Sequence, residues 1–376
     1  MMSRNIKVLS VFGTRPEATK MAPVVLALKD TPGIDSSVCV TAQHRELLDQ
    51  VITPLGIKPD HDLNIMTIGQ SLTDITNRAL TGLAPILKEV APDLLLVHGD
   101  TTTTFAASLA AFYAKVAVGH VEAGLRTYDK YRPYPEEINR KLVTALADLY
   151  FAPTAQARDN LLKENVPDKA IYVTGNTAVD FTKYAVTENH VFECEALNRL
   201  DFSKRILLMT AHRQENLGKP MEAICWAVLK LVNDFPDTIL VWPVHPNKAV
   251  TETAHRLLSG HERILLTPPA SPFDMINMMK RSYLLLTDSG GLQEEAPAFD
   301  LPVLVLREVT ERPEGLTAGT LALAGVDEDA IYSHAAKLLT DKPLYEKMAA
   351  AANPFGDGQA SARIIHAIKE YFQCWS

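Results

Sequence analysis

The chain has 376 residues, 47% apolar and 22% charged, the proportions of an ordinary globular protein too long for one core, so two domains are expected. Its 37 basic and 45 acidic residues leave a net charge of −8, which removes the electrostatic ground for nucleic acid or an anionic membrane as partner. No apolar run approaches the roughly 20 residues that span a bilayer, and an anionic ligand would need a local basic site.

The opening residues carry a basic group and a short apolar run. That run breaks at Phe12-Gly13-Thr14-Arg15 without a small-residue cleavage site, so residues 6–11 read as a first strand rather than a signal peptide. Gly13-Thr14-Arg15-Pro16-Glu17 follows, with Lys20 about one helical turn further on. Glycine permits a tight turn into a helix, and the helix N-terminus, Arg15 and Lys20 together suit an anion. A helix start with solvated basic residues is the plainer alternative. The pattern is neither the three-glycine dinucleotide fingerprint nor a Walker loop, which argues against a nicotinamide dehydrogenase and an ATPase.

Further strands are expected at residues 38–41, 94–97, 116–118 and 171–173, separated by helices at 23–29, 72–88 and 104–113. Continuous apolar strands alternating with helices imply a parallel, doubly wound sheet, whose ligands bind beyond the carboxyl ends of the strands. The residues there are informative. His98-Gly99-Asp100 and four threonines follow residues 94–97; Asp100 is either a reacting carboxylate or the helix N-cap. Gly119-His120-Val121-Glu122-Ala123-Gly124-Leu125-Arg126 follows the next strand, and Pro135-Glu136-Glu137 begins a helix, where the dipole alone would favour acids.

Residues 187–204 are polar and aperiodic. The same grammar then restarts, with strands expected at 206–209, 239–241, 264–266, 284–287 and 303–306. Their ends carry Thr210-Ala211-His212-Arg213, Trp242-Pro243-Val244-His245-Pro246-Asn247 and Asp288-Ser289-Gly290-Gly291-Leu292-Gln293-Glu294-Glu295. Paired glycines at a helix start suit a diphosphate, and Glu295, placed in the first turn, suits ribose hydroxyls. Residues 360–372 have helical spacing. The expected fold class is α/β, with two Rossmann-like doubly wound domains: 1–190 carrying carboxylates, 191–358 carrying phosphate-type donors, and 359–376 returning onto the first. Carboxylates on one side of a cleft and phosphate donors on the other describe a nucleotide-sugar site. Cys39, Cys194, Cys225 and Cys374 show no metal-ligand spacing, which suits a reducing, cytoplasmic setting.

Taken together, these blocks, with Thr41-Ala42-Gln43-His44-Arg45 and Thr310-Glu311-Arg312-Pro313-Glu314, resemble the bacterial non-hydrolysing UDP-N-acetylglucosamine 2-epimerases over nearly the whole chain. The resemblance implies a glycosyltransferase-B arrangement with a central cleft and a homodimer. It implies interconversion of UDP-N-acetylglucosamine and UDP-N-acetylmannosamine without metal or nicotinamide, the product serving cell-surface polysaccharide synthesis. By matched position, Arg15, Lys20, His212, Ser289, Gly290, Gly291, Glu295 and Arg312 would hold UDP, with Phe273 near the uracil. Asp100, Glu122, Glu136 and His212 would form the catalytic group. Gln43, Glu136, Arg213 and His245 would bind a second UDP-N-acetylglucosamine as activator. Two departures are visible: Pro268-Pro269-Ala270-Ser271-Pro272 replaces a glutamine-containing loop of some relatives, and Gly69 stands where regulated relatives often have arginine. The alternatives are a hydrolysing relative, a glycosyltransferase of the same fold and a non-catalytic nucleotide-sugar binder.

Overall fold

The computed structural model describes residues 4–42, 45–67 and 69–373. The chain forms two compact units, one of Met1–Tyr184 with Gly356–Ser376, the other of Ala185–Phe355. Unit 1 holds a seven-stranded sheet of β1 (Ile6–Phe12), β2 (Ile34–Val40), β3 (His61–Asp62), β4 (Leu94–His98), β5 (Ala117–Val121), β6 (Leu149–Ala152) and β7 (Ile171–Val173). The strands pair in parallel in the order β3-β2-β1-β4-β5-β6-β7. Unit 2 repeats the scheme with β8 (Arg205–Thr210), β9 (Thr238–Pro243), β10 (Ile264–Thr267), β11 (Leu284–Thr287), β12 (Val303–Val305) and β13 (Leu321–Leu323). Their order is β10-β9-β8-β11-β12-β13, again parallel.

The short apolar runs form strands because helices cover both faces of each sheet, so alternation is not required of them. β4 and β11 are buried along their whole length. Each buried leucine contributes about 1.5–3 kcal/mol relative to exposure. Both sheets reverse winding direction between their first and fourth strands, β1 and β4 in unit 1, β8 and β11 in unit 2. Connections on opposite faces leave a crevice at such a switch point, beyond the strands' carboxyl ends. The helix Ala360–Gln373 packs in unit 1 against the helix Arg15–Lys29. Its first amides, at Ala360 and Ser361, donate to the buried Asp180 carboxylate at 3.1 and 2.8 Å.

Several elements differ from the sequence expectation. β3, β6 and β13 are additional; two to four residues long, they are strands because a parallel neighbour supplies a ladder. β5 runs to Val121, so Gly119 and His120 lie inside the strand. The first helix begins at Arg15 rather than residue 23, because a capping box of Thr14 and Glu17 starts it and Pro23 is accommodated within. Residues 187–204 contain the short helix Glu195–Asn198 and are bound to the helix Pro272–Lys280. Thr187 N donates to Asn277 Oδ1 at 3.1 Å, and His190 Nε2 and Glu193 N meet Asp274 at 2.6 and 3.1 Å. Polar side chains answered by buried polar partners conceal such a segment from a hydropathy reading.

Candidate active site

In unit 1, the turns after β1 and β4 are joined by Glu17. Its Oε2 accepts from the Gly13 and Thr14 amides at 3.0 and 2.7 Å, and its Oε1 accepts from Thr101 and Thr104 hydroxyls at 2.7 and 3.1 Å. Burial is the largest influence on this carboxyl and pushes its pKa up, against the lowering effect of those donors. Glu17 is therefore a clamp. Gly13 is required by close approach, since a methyl there would lie 1.9 Å from Thr41 Oγ1. Arg15 is the first residue of the helix that follows this clamp.

Asp100 is not the helix cap. That position belongs to Thr101, whose hydroxyl accepts from Thr104 N at 3.1 Å. Gly99, in the left-handed region at φ 67°, turns the chain so that Asp100 leaves the end of β4. Arg140 Nε and Nη2 approach Asp100 Oδ2 at 2.9 and 2.6 Å, and Arg140 Nη1 reaches Glu137 Oε2 at 3.3 Å. Glu137 is fully buried and accepts from the Thr127 and Tyr128 amides at 3.1 and 3.0 Å, fixing the loop before the helix Glu136–Leu146. Glu136 is the first residue of that helix. Its Oε2 is shielded from solvent with no hydrogen-bond partner among the described residues, in the positive field of the helix start.

Glu122 follows β5 at φ 64°, a conformation non-glycine residues adopt at some cost. Its Oε1 is bonded to Lys20 Nζ and accepts from Asn176 Nδ2 at 3.2 Å. Its Oε2 lies 3.4 Å from His98 Nε2. Lys20, matched to the diphosphate, is here a partner of a matched catalytic carboxylate. His98 and His120 are both buried, and burial pushes each ring's pKa down to about 4, so both are neutral near pH 7. His120 Nε2 bonds Gly99 O at 2.7 Å. Asn176 also accepts from Ala178 N at 3.0 Å at the start of the helix Thr177–Ala185.

In unit 2, the buried Asp288 organises the ends of β8 and β11. The His212 and Arg213 amides each donate to its Oδ2 at 2.8 Å, and Asn216 Nδ2 does so at 3.0 Å. Burial alone would raise this carboxyl, but these donors and the His212 ring, with Nδ1 3.2 Å from Oδ1, hold it below the usual carboxylate range. The His212 ring stacks on His245, with centroids 5.1 Å apart. At the helix Gly290–Glu295, Ser289 is the N-cap and its side chain makes no capping bond. A methyl on Gly290 would lie 3.6 Å from Arg312 Nη2 and 3.8 Å from Arg213 Nη2, so two guanidinium groups converge on the helix start. Arg312 is held by Glu294, Nε to Oε1 2.5 Å, and Arg213 by the Asp288 carbonyl at 2.9 Å. Such a group stabilises oxygens of an anionic leaving group.

Glu295 is the sixth and last residue of that helix, not a first-turn residue; the helix already begins at Gly290. Phe273 is the second residue of the helix Pro272–Lys280, which Ser271 caps. The residues matched to an activator are distributed: Gln43 lies outside the described residues, Glu136 is in unit 1, and Arg213 and His245 are in unit 2. Sequence reasoning assigned no role to Arg140, Asn176 or Asp288. Arg140 lies four residues after Glu136 on one helix face, and Gly175-Asn176-Thr177 follows β7 as the other polar turns follow theirs. Among the described residues, no group of three or more His, Cys, Asp or Glu is arranged to hold a metal, and no helix is long and apolar enough to cross a membrane.

The family model described as UDP-N-acetylglucosamine 2-epimerase matches residues 26–369. The UDP-N-acetylglucosamine 2-epimerase of Bacillus subtilis (strain 168) is 56% identical over 362 residues, covering 96% of this chain and 94% of its own. Among solved structures, the Neisseria meningitidis UDP-GlcNAc 2-epimerase bound to UDP-GlcNAc has a TM-score of 0.88 at 45% identity, covering 97% of this chain and 100% of its own. The S. aureus MnaA–UDP co-structure has a TM-score of 0.88 at 49% identity, covering 98% and 97%.

Proposed function

Because the chain belongs to the UDP-N-acetylglucosamine 2-epimerase family, we propose that it interconverts UDP-N-acetylglucosamine and UDP-N-acetylmannosamine without hydrolysing either. The observation that carries this reading is the set of carboxylates Asp100, Glu122 and Glu136, each fixed at a strand end or helix start of unit 1. Hydrogen at C2 of the sugar is not acidic, since no carbonyl adjoins it. As UDP leaves C1 with the electron pair of the C1–O bond, the developing oxocarbenium ion makes the C2 proton removable. Its loss forms the C1=C2 bond of a 2-acetamidoglucal; UDP then returns to C1 while a proton adds to the opposite face of C2.

Asp100 and Glu122 serve as the proton-transfer groups, with Glu136 as electrostatic or acid–base support. Arg213, Arg312, Ser289, Gly290 and Gly291 receive the diphosphate, joined by Arg15, Lys20 and His212. Glu295 takes the ribose and Phe273 the uracil. The protein acts as a homodimer in the cytoplasm. Exposed Phe112, Tyr113, Ile138 and Leu142 on two adjacent helices of unit 1 support the first point. Cys39, Cys194 and Cys225, all free thiols, support the second.

The test is incubation with UDP-N-acetylglucosamine in D₂O without added metal or NAD. Deuterium at C2 of both epimers is expected by NMR. Epimerisation without exchange overturns the reading, and stoichiometric release of UDP with free N-acetylmannosamine identifies the hydrolysing alternative.

A further inference from the structure

We propose that His98 is a positioning residue for proton transfer by Glu122, its Nε2–H donating to Oε2 of the carboxylate. The inference rests on the epimerase reading of Glu122. His98 ends β4, is 4% exposed, and neither ring nitrogen has a hydrogen-bond partner among the described residues. A buried imidazole without partners incurs the desolvation cost of its polar atoms, about 1–3 kcal/mol each, and calls for a physical reason. The reason lies 3.4 Å away at Glu122 Oε2, a separation that a small rotation of either side chain brings within hydrogen-bond range.

The contrast with neighbouring groups defines the role. His120 has its Nε2 engaged by Gly99 O at 2.7 Å, whereas Nε2 of His98 makes no such bond and is available to Glu122. Asp100 Oδ2 faces the permanent cation of Arg140 at 2.6 Å. Glu122 has Lys20 and Asn176 on Oε1, while Oε2 faces the neutral His98 ring. A donor on that second oxygen fixes the carboxylate's orientation and lowers its affinity for a proton. The charged and titratable groups around His98 are Glu122 after β5, Lys20 from the first helix, Asp100 after β4 and His120 within β5. The depressed ring pKa of about 4 keeps His98 from becoming a second fixed cation.

The test compares His98→Gln, whose amide N–H reaches Oε2 as a donor, with His98→Asn, which is polar but too short. Thermal melting and UDP binding report folding; kcat, KM and the pH profile are measured in both directions. His98→Asn is expected to lose about 30-fold in kcat with KM within about 2-fold, and His98→Gln to recover to within about 5-fold of the unaltered enzyme. The acidic limb of the Asn variant moves up by about one pH unit in the direction in which Glu122 is the base. In a Glu122→Gln background, His98→Asn costs less than about 2-fold further, because the group it positions is already gone. Equal kcat for Gln and Asn, or an unmoved limb in both directions, overturns the proposal. If the Asn variant does not fold, His98→Leu takes its place under the same criteria. Unaltered protein run alongside separates the two claims: no deuterium at C2 defeats the epimerase reading, while normal exchange beside an unaffected His98→Asn defeats this one.

Discussion

Asp100 and Glu122 end adjacent strands, yet one is gripped by Arg140 and the other by Lys20 and Asn176. Charge removal with shape retained tests what these grips are for. Asp100→Asn, Glu122→Gln and Glu136→Gln are each expected to lower kcat by at least about 10² while UDP affinity is kept. Near-normal turnover in two of the three would return those side chains to structural roles. Stability offers an independent reading of the buried histidines. His98 and His120 have folded pKa values of about 4, below the roughly 6.5 of an unfolded histidine. The unfolded chain therefore binds more protons between these values, so this stabilisation is complete above about pH 6.5 and is lost as pH falls through about 4. It amounts to at most about 3 kcal/mol per ring. Asp288, also held below its usual range, acts in the same direction. Urea melts should weaken from pH 7 to pH 5, and His120→Asn should flatten that slope; an unchanged slope would mean the ring is protonated in the fold.

Helix starts show why equivalent local signals differ in consequence. Ser71 caps the helix Leu72–Val90 in an exposed box with Asp74. Thr101 caps the helix Thr102–Tyr113, and its hydroxyl also donates to the buried Glu17 carboxylate at 2.7 Å. Ser71→Ala is expected to cost about 1 kcal/mol and Thr101→Ala about 3 kcal/mol, the excess being the donor withdrawn from a buried acid. Equal costs in denaturant melts would show that the Glu17 clamp has no energetic weight. The alternation of apolar runs and helices made both doubly wound sheets legible, and the glycines and acids at the strand ends pointed to the switch points. β3, β6 and β13 were not read as strands; each is two to four residues long and is defined by its ladder with a neighbour. Arg140 and Asn176 were hidden for another reason. A guanidinium or an amide matters here through what it holds, and its partners lie 40 and 54 residues away in sequence.

At the scale of the molecule, the same strand order is used twice for different chemistry, with carboxylates at the first switch point and guanidinium groups at the second. A chain of net charge −8 thereby carries a local cationic group of the kind an anionic diphosphate needs. Two of the residues matched to an activator touch the group around His212 inside unit 2. His245 stacks on His212, and the Arg213 amide shares Asp288 Oδ2 with that of His212. A ligand at His245 and Arg213 would therefore act on the His212 ring through these contacts, which would give activation a physical route. Gly69 lies in the left-handed region at φ 73°, so an arginine there would be strained and the loop is built without that donor. Activation should accordingly be present but weaker than where the donor is kept. Pure UDP-N-acetylmannosamine is expected to give a progress curve with a lag that traces of UDP-N-acetylglucosamine abolish, and His245→Ala should lengthen the lag. Turnover that is linear from the first point, and unchanged in His245→Ala, would show that ligand at His245 and Arg213 does not govern the His212 ring.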